Sequence, residues 1–197
     1  MISPRQVFVK RIFDVTLGLF LLPFLIIPIV LLILMATLDT GQWGLFSQYR
    51  IGHFGIPFKI YKIRTLKQEL HRLGHLDASA TRFGKFLRRY KLDELPQLFN
   101  VIKGDMSFVG PRPDIAGFAD CLEGEDRIIL NVKPGITGPA TIKYKDEERI
   151  LAQQSDPEHY NRTVIWTDKV EINKKYVRNW RFSVDLLFIL KSIKNSK

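Results

Sequence analysis

Between Thr16 and Leu38 the chain reads TLGLFLLPFLIIPIVLLILMATL, 23 residues without a charged side chain. A straight bilayer crossing needs roughly 20 apolar residues. A secretory signal carries a shorter apolar core, about 7–15 residues, before a small-residue cleavage site. Met35-Ala36-Thr37-Leu38-Asp39 is a poor site of that kind, so the run predicts a retained membrane segment. Pro23 and Pro28 lie inside it. Each removes an i→i−4 hydrogen bond and crowds the preceding turn, which predicts a bend. Arg5, Lys10 and Arg11 precede the run, and Arg50, Lys59, Lys62, Arg64 and Lys67 follow it. Positive charge marks the cytoplasmic end of a membrane segment. Both flanks claim that side, so the pattern favours a re-entrant helix that bends at Pro23 and Pro28. An ordinary spanning helix with a tolerated proline kink is the alternative.

Beyond the run, LFSQYRIGHFGIPFKIYKIRTL alternates apolar and basic residues around Gly-Ile-Pro and predicts a β-hairpin. Lys59, Lys62 and Arg64 either line a phosphate site or form a solvated face. KQELHRLGHLDASA is polar and reads as a loop or short helix. His71 and His75 have metal-pair spacing, but without a zinc motif's glutamate they carry no metal assignment. Phe83, Phe86, Leu87 and Tyr90 recur at i, i+3, i+4 and i+7, one face of a helix. With Arg82, Lys85, Arg88 and Arg89 mostly elsewhere, this is a basic amphipathic helix for a membrane surface or a protein core. The tail NWRFSVDLLFILKSIKNSK predicts a second amphipathic helix, with Trp180 at the interface.

The net charge of +10 suits nucleic acid, an anionic membrane or a phosphate-rich substrate. The apolar run favours the last two. A single cysteine, Cys121, excludes an intrachain disulfide and fits a reducing compartment.

The densest chemistry lies in LDELPQLFNVIKGDMSFVGPRPD, residues 92–114. Proline is tolerated in a helix only in its first turn, so Pro96 sets a start near Leu92–Glu94. Leu95, Leu98, Phe99 and Ile102 form the apolar face, with Asp93, Gln97 and Asn100 away from the core. At a helix start, N–H groups and the macrodipole favour negative charge and would keep Asp93 ionised. Acids there are often simple charge-matching, and the surrounding bases are what point to catalysis. Pro111 and Pro113 stiffen the chain around Arg112, which suits bidentate phosphate recognition. KPGITGP reads as another rigid turn.

KRIFD, KIYKIRT, LDELPQLFNVIKGDMSFVGPRP and KPGITG occur in this order. Together they resemble the bacterial sugar transferase family, the small monotopic phosphoglycosyl transferases, from about Lys10 to Leu187. The resemblance implies a mainly helical α+β fold. Residues 1–40 would form a re-entrant membrane anchor and residues 41–197 a catalytic domain on the cytoplasmic face of the bacterial inner membrane. It implies transfer of a phosphosugar from a UDP-sugar to polyprenol (undecaprenyl) phosphate, with release of UMP, to initiate surface glycan assembly. Asp93 would be the nucleophile, and Asp93 and Glu94 would hold Mg2+. Arg112, between Pro111 and Pro113, would hold the nucleotide or its phosphates, with Lys59, Lys62, Arg64 and Arg88 around the phosphate site.

The chain departs from the family pattern in three places. Its prolines follow Leu22 and Ile27, where members often have Ser-Pro. Lys143-Tyr144-Lys145 stands where many have Asn-Gly-Arg, and Lys145 supplies the charge without the fork. Asn173 stands where an acid is common, with Glu171 and Asp168 nearby. The identity of the sugar is therefore open. Donor, acceptor and membrane lipids are the expected partners, with a homodimer an open possibility. A non-catalytic membrane scaffold of glycan assembly is the alternative function. A membrane-tethered nucleic-acid binder would need a base-reading motif, and the sequence offers none.

Overall fold

The computed structural model describes residues 2–67, 73 and 76–194. A helix of 37 residues, α1 (Pro4–Thr40), comes first. Ser3 and Gln6 cap its start reciprocally, and Gly41 at φ 68° ends it in the left-handed region. Helical backbone continues through Pro23 and Pro28, so neither proline ends the helix. Among the described residues, α1 alone is long and apolar enough to cross a membrane. Phe20, Phe24, Ile27 and Leu31 stand exposed along its middle.

Both ends of α1 rest on the same folded body. Near the start, Lys10 pairs with Asp185. Arg11 donates to the carbonyls of Val101 at 2.6 Å and Ile102 at 2.7 Å. Asp14 accepts from the Ser107 hydroxyl at 3.0 Å and the Phe108 amide at 3.1 Å. Gly18 lies against Ile102 and Leu98. Near the end, Ala36 joins a buried cluster with Ile63 and Leu87, where Leu32, Ile33 and Leu92 also pack. The Thr37 hydroxyl accepts from the Gly44 amide at 2.8 Å.

The expected hairpin follows as β1 (Leu45–Ile51) and β2 (Pro57–Ile63), antiparallel with Gln48 opposite Ile60 and Phe46 opposite Lys62. A short helix, α2 (Leu76–Ser79), leads into α3 (Arg82–Arg89), capped by Thr81. In α3, Leu87 is buried, whereas Phe86 and the following Tyr90 are exposed and pack on each other at 5.0 Å. His71 and His75 lie outside the described residues.

After α4 (Gln97–Lys103) come two three-residue strands, β3 (Ser107–Val109) and β4 (Gly135–Thr137), paired in parallel. The remainder is helical: α5 (Pro139–Lys143), α6 (Glu147–Ala152), α7 (Pro157–Tyr160), α8 (Trp166–Arg178) and α9 (Phe182–Lys194). The result is a mainly helical α+β fold with two small sheets.

The tail is the helix its pattern predicted. Phe188 and Ile189 pack against the core around Tyr176 and Val177. Leu186, Leu187, Leu190 and Ile193 form an exposed apolar stripe. Trp180 does not take the interfacial place expected of it. It is buried and donates to Asp185 at 3.0 Å, because that carboxylate also gathers Lys10 and Tyr176.

Candidate active site

Three short elements bring the acidic pair and the bases together. Asp93 and Glu94 lie in a 3-10 turn, Leu92–Glu94, just ahead of Pro96 and α4. The turn is entered through Lys91 at φ 55°, a left-handed conformation unusual for a residue with a Cβ. Residue 100 locks α4 against the hairpin. The Asn100 amide donates to the Lys59 carbonyl at 2.7 Å, and its oxygen accepts from the Tyr61 amide at 3.2 Å. That register sets Lys62, the next residue of β2, opposite Glu94.

Gln97 and Asn100 are fully buried and Asp93 is buried as well, which corrects the outward placement expected of all three. Helix α4 packs on β2 as well as on α1, so it has two covered sides and its polar residues are sandwiched. Phe99 is among its exposed residues.

The third element is the loop after β3. Gly135 of β4 donates its amide to the Pro111 carbonyl at 2.8 Å, and Gly110 donates to the Thr137 carbonyl at 2.9 Å. A Cβ on Gly135 would meet the Gly110 nitrogen at 2.1 Å. KPGITGP is thus the strand that clamps Gly110 and Pro111 and so aims Arg112. Pro111 and Pro113 are both buried.

Glu94 Oε1 accepts from Arg112 at 2.5 Å and from Lys62 at 3.1 Å. Burial pushes the Glu94 carboxyl up, but Arg112 and Lys62 outweigh it and hold it well below the usual range. Glu94 in turn raises the Arg112 guanidinium. Burial lowers the Lys62 ammonium, with Glu94 opposing. Asp93 is shifted the other way. Burial and then the neighbouring Glu94 charge raise its carboxyl, against the attraction of Lys62, Arg88 and Arg112. Burial beside a second carboxylate thus opposes the ionisation expected of Asp93 from sequence. Arg88 completes the group from α3 and is paired with Glu148 of α6.

The candidate residues thus fall into two sets. Asp93, Glu94, Lys62, Arg88 and Arg112 converge, with Pro111 and Pro113 flanking Arg112. Lys59 is three residues from Lys62, hence on the other face of the strand, and its ammonium lies over the Tyr49 ring at 5.5 Å. Arg64 donates to the Trp43 carbonyl at 2.9 Å and covers the Phe46 ring. Lys145 is exposed after α5, while Lys143 and Tyr144 are held by Asp168 at 2.6 and 2.7 Å. Arg50 and Gln97 line the cleft beside Lys62 and Arg112, although neither stood among the sequence candidates. The signal was present for Arg50, which shares the hairpin face of Gln48, Ile60 and Lys62.

A buried carboxylate pair ringed by three bases suits handling of a phosphate ester. The bacterial sugar transferase family model matches residues 5–196. The chain belongs to that family. An uncharacterized sugar transferase, EpsL, of Bacillus subtilis is 35% identical, covering 94% of this chain and 85% of its own length. A putative undecaprenyl-phosphate N-acetylgalactosaminyl 1-phosphate transferase of the same organism is 38% identical over 62% of this chain and 72% of its own. A UDP-N-acetylgalactosamine-undecaprenyl-phosphate N-acetylgalactosaminephosphotransferase of Aeromonas hydrophila is 32% identical over 98% of this chain, which spans 44% of that protein. The protein is therefore a sugar transferase, and its motif residues Asp93, Glu94 and Arg112 are brought together at one site.

Proposed function

We propose that this sugar transferase moves a phosphosugar from a UDP-sugar to polyprenol phosphate, through a covalent intermediate on Asp93. The convergence of Lys62 and Arg112 on Glu94, immediately beside Asp93, carries this reading. Glu94 is occupied by two cations, whereas Asp93 is the carboxylate of the pair left to react. Relatives named for undecaprenyl-phosphate sugar-phosphate transfer support the same substrates.

In the first step an Asp93 carboxylate oxygen attacks the phosphorus that bears the sugar. An acyl-phosphate bond forms, the P–O bond to the nucleotide breaks, and UMP leaves with the electron pair. In the second step a phosphate oxygen of the lipid attacks the same phosphorus. The Asp93–phosphorus bond breaks, the carboxylate is regenerated, and a polyprenyl diphosphosugar leaves. A carboxylate is a known nucleophile for such two-step transfer. Arg112, Lys62 and Arg88 offset the charge that gathers on the phosphoryl oxygens.

Mg2+ fits this donor set. It is usually held by one or two carboxylates together with substrate phosphates, rather than by an all-protein cage. Asp93, with Glu94 beside it, would hold the ion against the donor diphosphate, where it would neutralise charge.

The membrane reading belongs to the same proposal. A straight helix would separate Gly18 from Ala36 by about 27 Å at 1.5 Å per residue. Gly18 meets Leu98, and Leu92, six residues earlier, packs against the cluster that holds Ala36, while the apolar middle between the anchored ends is exposed. These contacts support a re-entrant α1 with residues 41–197 on the cytoplasmic face. The exposed stripe of α9 and the Phe86–Tyr90 pair supply further surface for lipid.

The test is UMP release by detergent-purified protein given Mg2+, undecaprenyl phosphate and a panel of UDP-sugars. Release that requires one donor, the lipid and Asp93 supports the reading. Full release by Asp93→Asn removes Asp93 from the nucleophile role, and no release with any donor favours the scaffold.

A further inference from the structure

A small, partly open cleft between the hairpin and the Pro111–Pro113 loop is lined by Arg50, Ile60, Lys62, Gln97, Arg112 and Pro113. Two of its donors have no acceptor. Gln97 is only 1% exposed, yet its side-chain nitrogen makes no hydrogen bond. Arg50 donates through Nη2 to Gln48 at 2.9 Å, but its buried Nε is unpartnered. Native proteins rarely leave such groups unsatisfied, and each that remains calls for a partner such as a water or an ion, or for a catalytic role.

The charges point to the ligand's sign. Lys62 and Arg112 reach Glu94, but Arg50 adds a third cation to the same wall. Burial lowers the Arg50 guanidinium, and the like charge of Arg112 lowers it further, with Asp114 and Glu94 opposing. An uncharged ligand could accept from both orphan donors, but only an anion would also relieve the repulsion between the two guanidiniums. Arg50 and Arg112 present planar forks that match phosphate oxygens.

We propose that Arg50 and Gln97, together with Lys62 and Arg112, bind a phosphoryl group in this cleft. The identity of that group rests on the phosphoglycosyl-transfer reading, under which the donor diphosphate and the lipid phosphate both offer one. Arg50 and Gln97 are thus binding residues beyond those of the motif reading.

The test titrates the full chain in detergent with UDP, farnesyl phosphate and inorganic phosphate. Gln97→Met keeps the side chain's length and removes the orphan amide. It is expected to weaken at least one phosphate ligand tenfold or more without lowering the unfolding temperature. Arg50→Lys, which keeps the charge and loses the fork, is expected to weaken the same ligand less than Arg50→Met does. Loss for UDP alone assigns the cleft to the donor, loss for farnesyl phosphate alone to the lipid, and loss for all three to a shared subsite. Unchanged affinities for all three ligands in both Gln97→Met and Arg50→Met overturn the proposal, and if Gln97→Met does not fold, Arg50→Met decides by the same titrations. Because binding is read without turnover, weakened phosphate binding in a protein that releases no UMP would sink the reaction and leave the cleft standing.

Discussion

The amide of Gly135 donates to the carbonyl of Pro111 at 2.8 Å, tying two motifs separated by more than twenty residues into one small parallel sheet. Arg112 follows directly, and its guanidinium reaches Glu94. Gly135→Ala would drive a Cβ to 2.1 Å from the Gly110 nitrogen, backbone against backbone. Overpacking of this kind costs about 1–3 kcal/mol. The variant is expected to unfold at lower temperature, with activity falling further than stability because Arg112 shifts. Thermal unfolding and UMP release on one preparation measure both.

Removing the Glu94 charge strands its two cationic partners. Breaking a buried ion pair from one side costs about 3–5 kcal/mol, and less here because the Arg112 side chain is 35% exposed. Glu94→Gln is expected to destabilise the fold by about 2 kcal/mol, a discounted value on the same basis. The double variant Glu94→Gln with Lys62→Met should regain part of that loss. Chemical denaturation of the parent, both single variants and the double variant checks the coupling, and strict additivity would contradict it.

Asp93 and Glu94 make opposite demands on pH. Asp93 attacks only when ionised, and burial raises its carboxyl above the ordinary value. Activity is therefore expected to fall on acidification at a pH above the usual aspartate range, while the fold persists. Glu94 is depressed, so its stabilising contribution is present above the unfolded-state value and is lost only as pH falls through the lower folded value. The rate should fail before the structure does. Parallel profiles of UMP release and circular dichroism would show the order, and simultaneous loss would contradict it.

The anchoring of both ends of α1 bears on topology. In a Cys121→Ala background, cysteines placed at the exposed positions Arg5 and Asp39 are expected to react with a membrane-impermeant maleimide from the same face. Labelling from opposite faces would make α1 a spanning helix.

The hairpin was legible because alternation acts locally. Proline chemistry marked a helix start, but the expected start at Leu92–Glu94 is a separate 3-10 turn and α4 begins at Gln97. Of the expected α3 face Leu87 is buried, whereas Phe86 and Tyr90 are exposed. The burial of Gln97 and Asn100 was not legible, because a seven-residue helix covered on two sides has no outward polar face. Asn100 is satisfied by the backbone of β2, a partner more than thirty residues away. The strands β3 and β4 are three residues each, too short to show alternation, so KPGITGP read as a turn. Trp180 was misplaced because its indole partner, Asp185, is shared with Lys10 from the far end of the chain. The motif residues Asp93, Glu94 and Arg112 were named from sequence, but Arg50 joins them only once the hairpin is docked.

Covalent capture on Asp93 is tested most directly by giving the purified protein Mg2+ and its donor UDP-sugar with no lipid acceptor, then weighing the intact chain. The expected result is one equivalent of UMP and a mass increase of one phosphosugar. Added undecaprenyl phosphate should discharge that adduct, and Asp93→Asn should never form it. Lipid-dependent turnover with the chain's mass unchanged, or the same adduct on Asp93→Asn, would contradict the account.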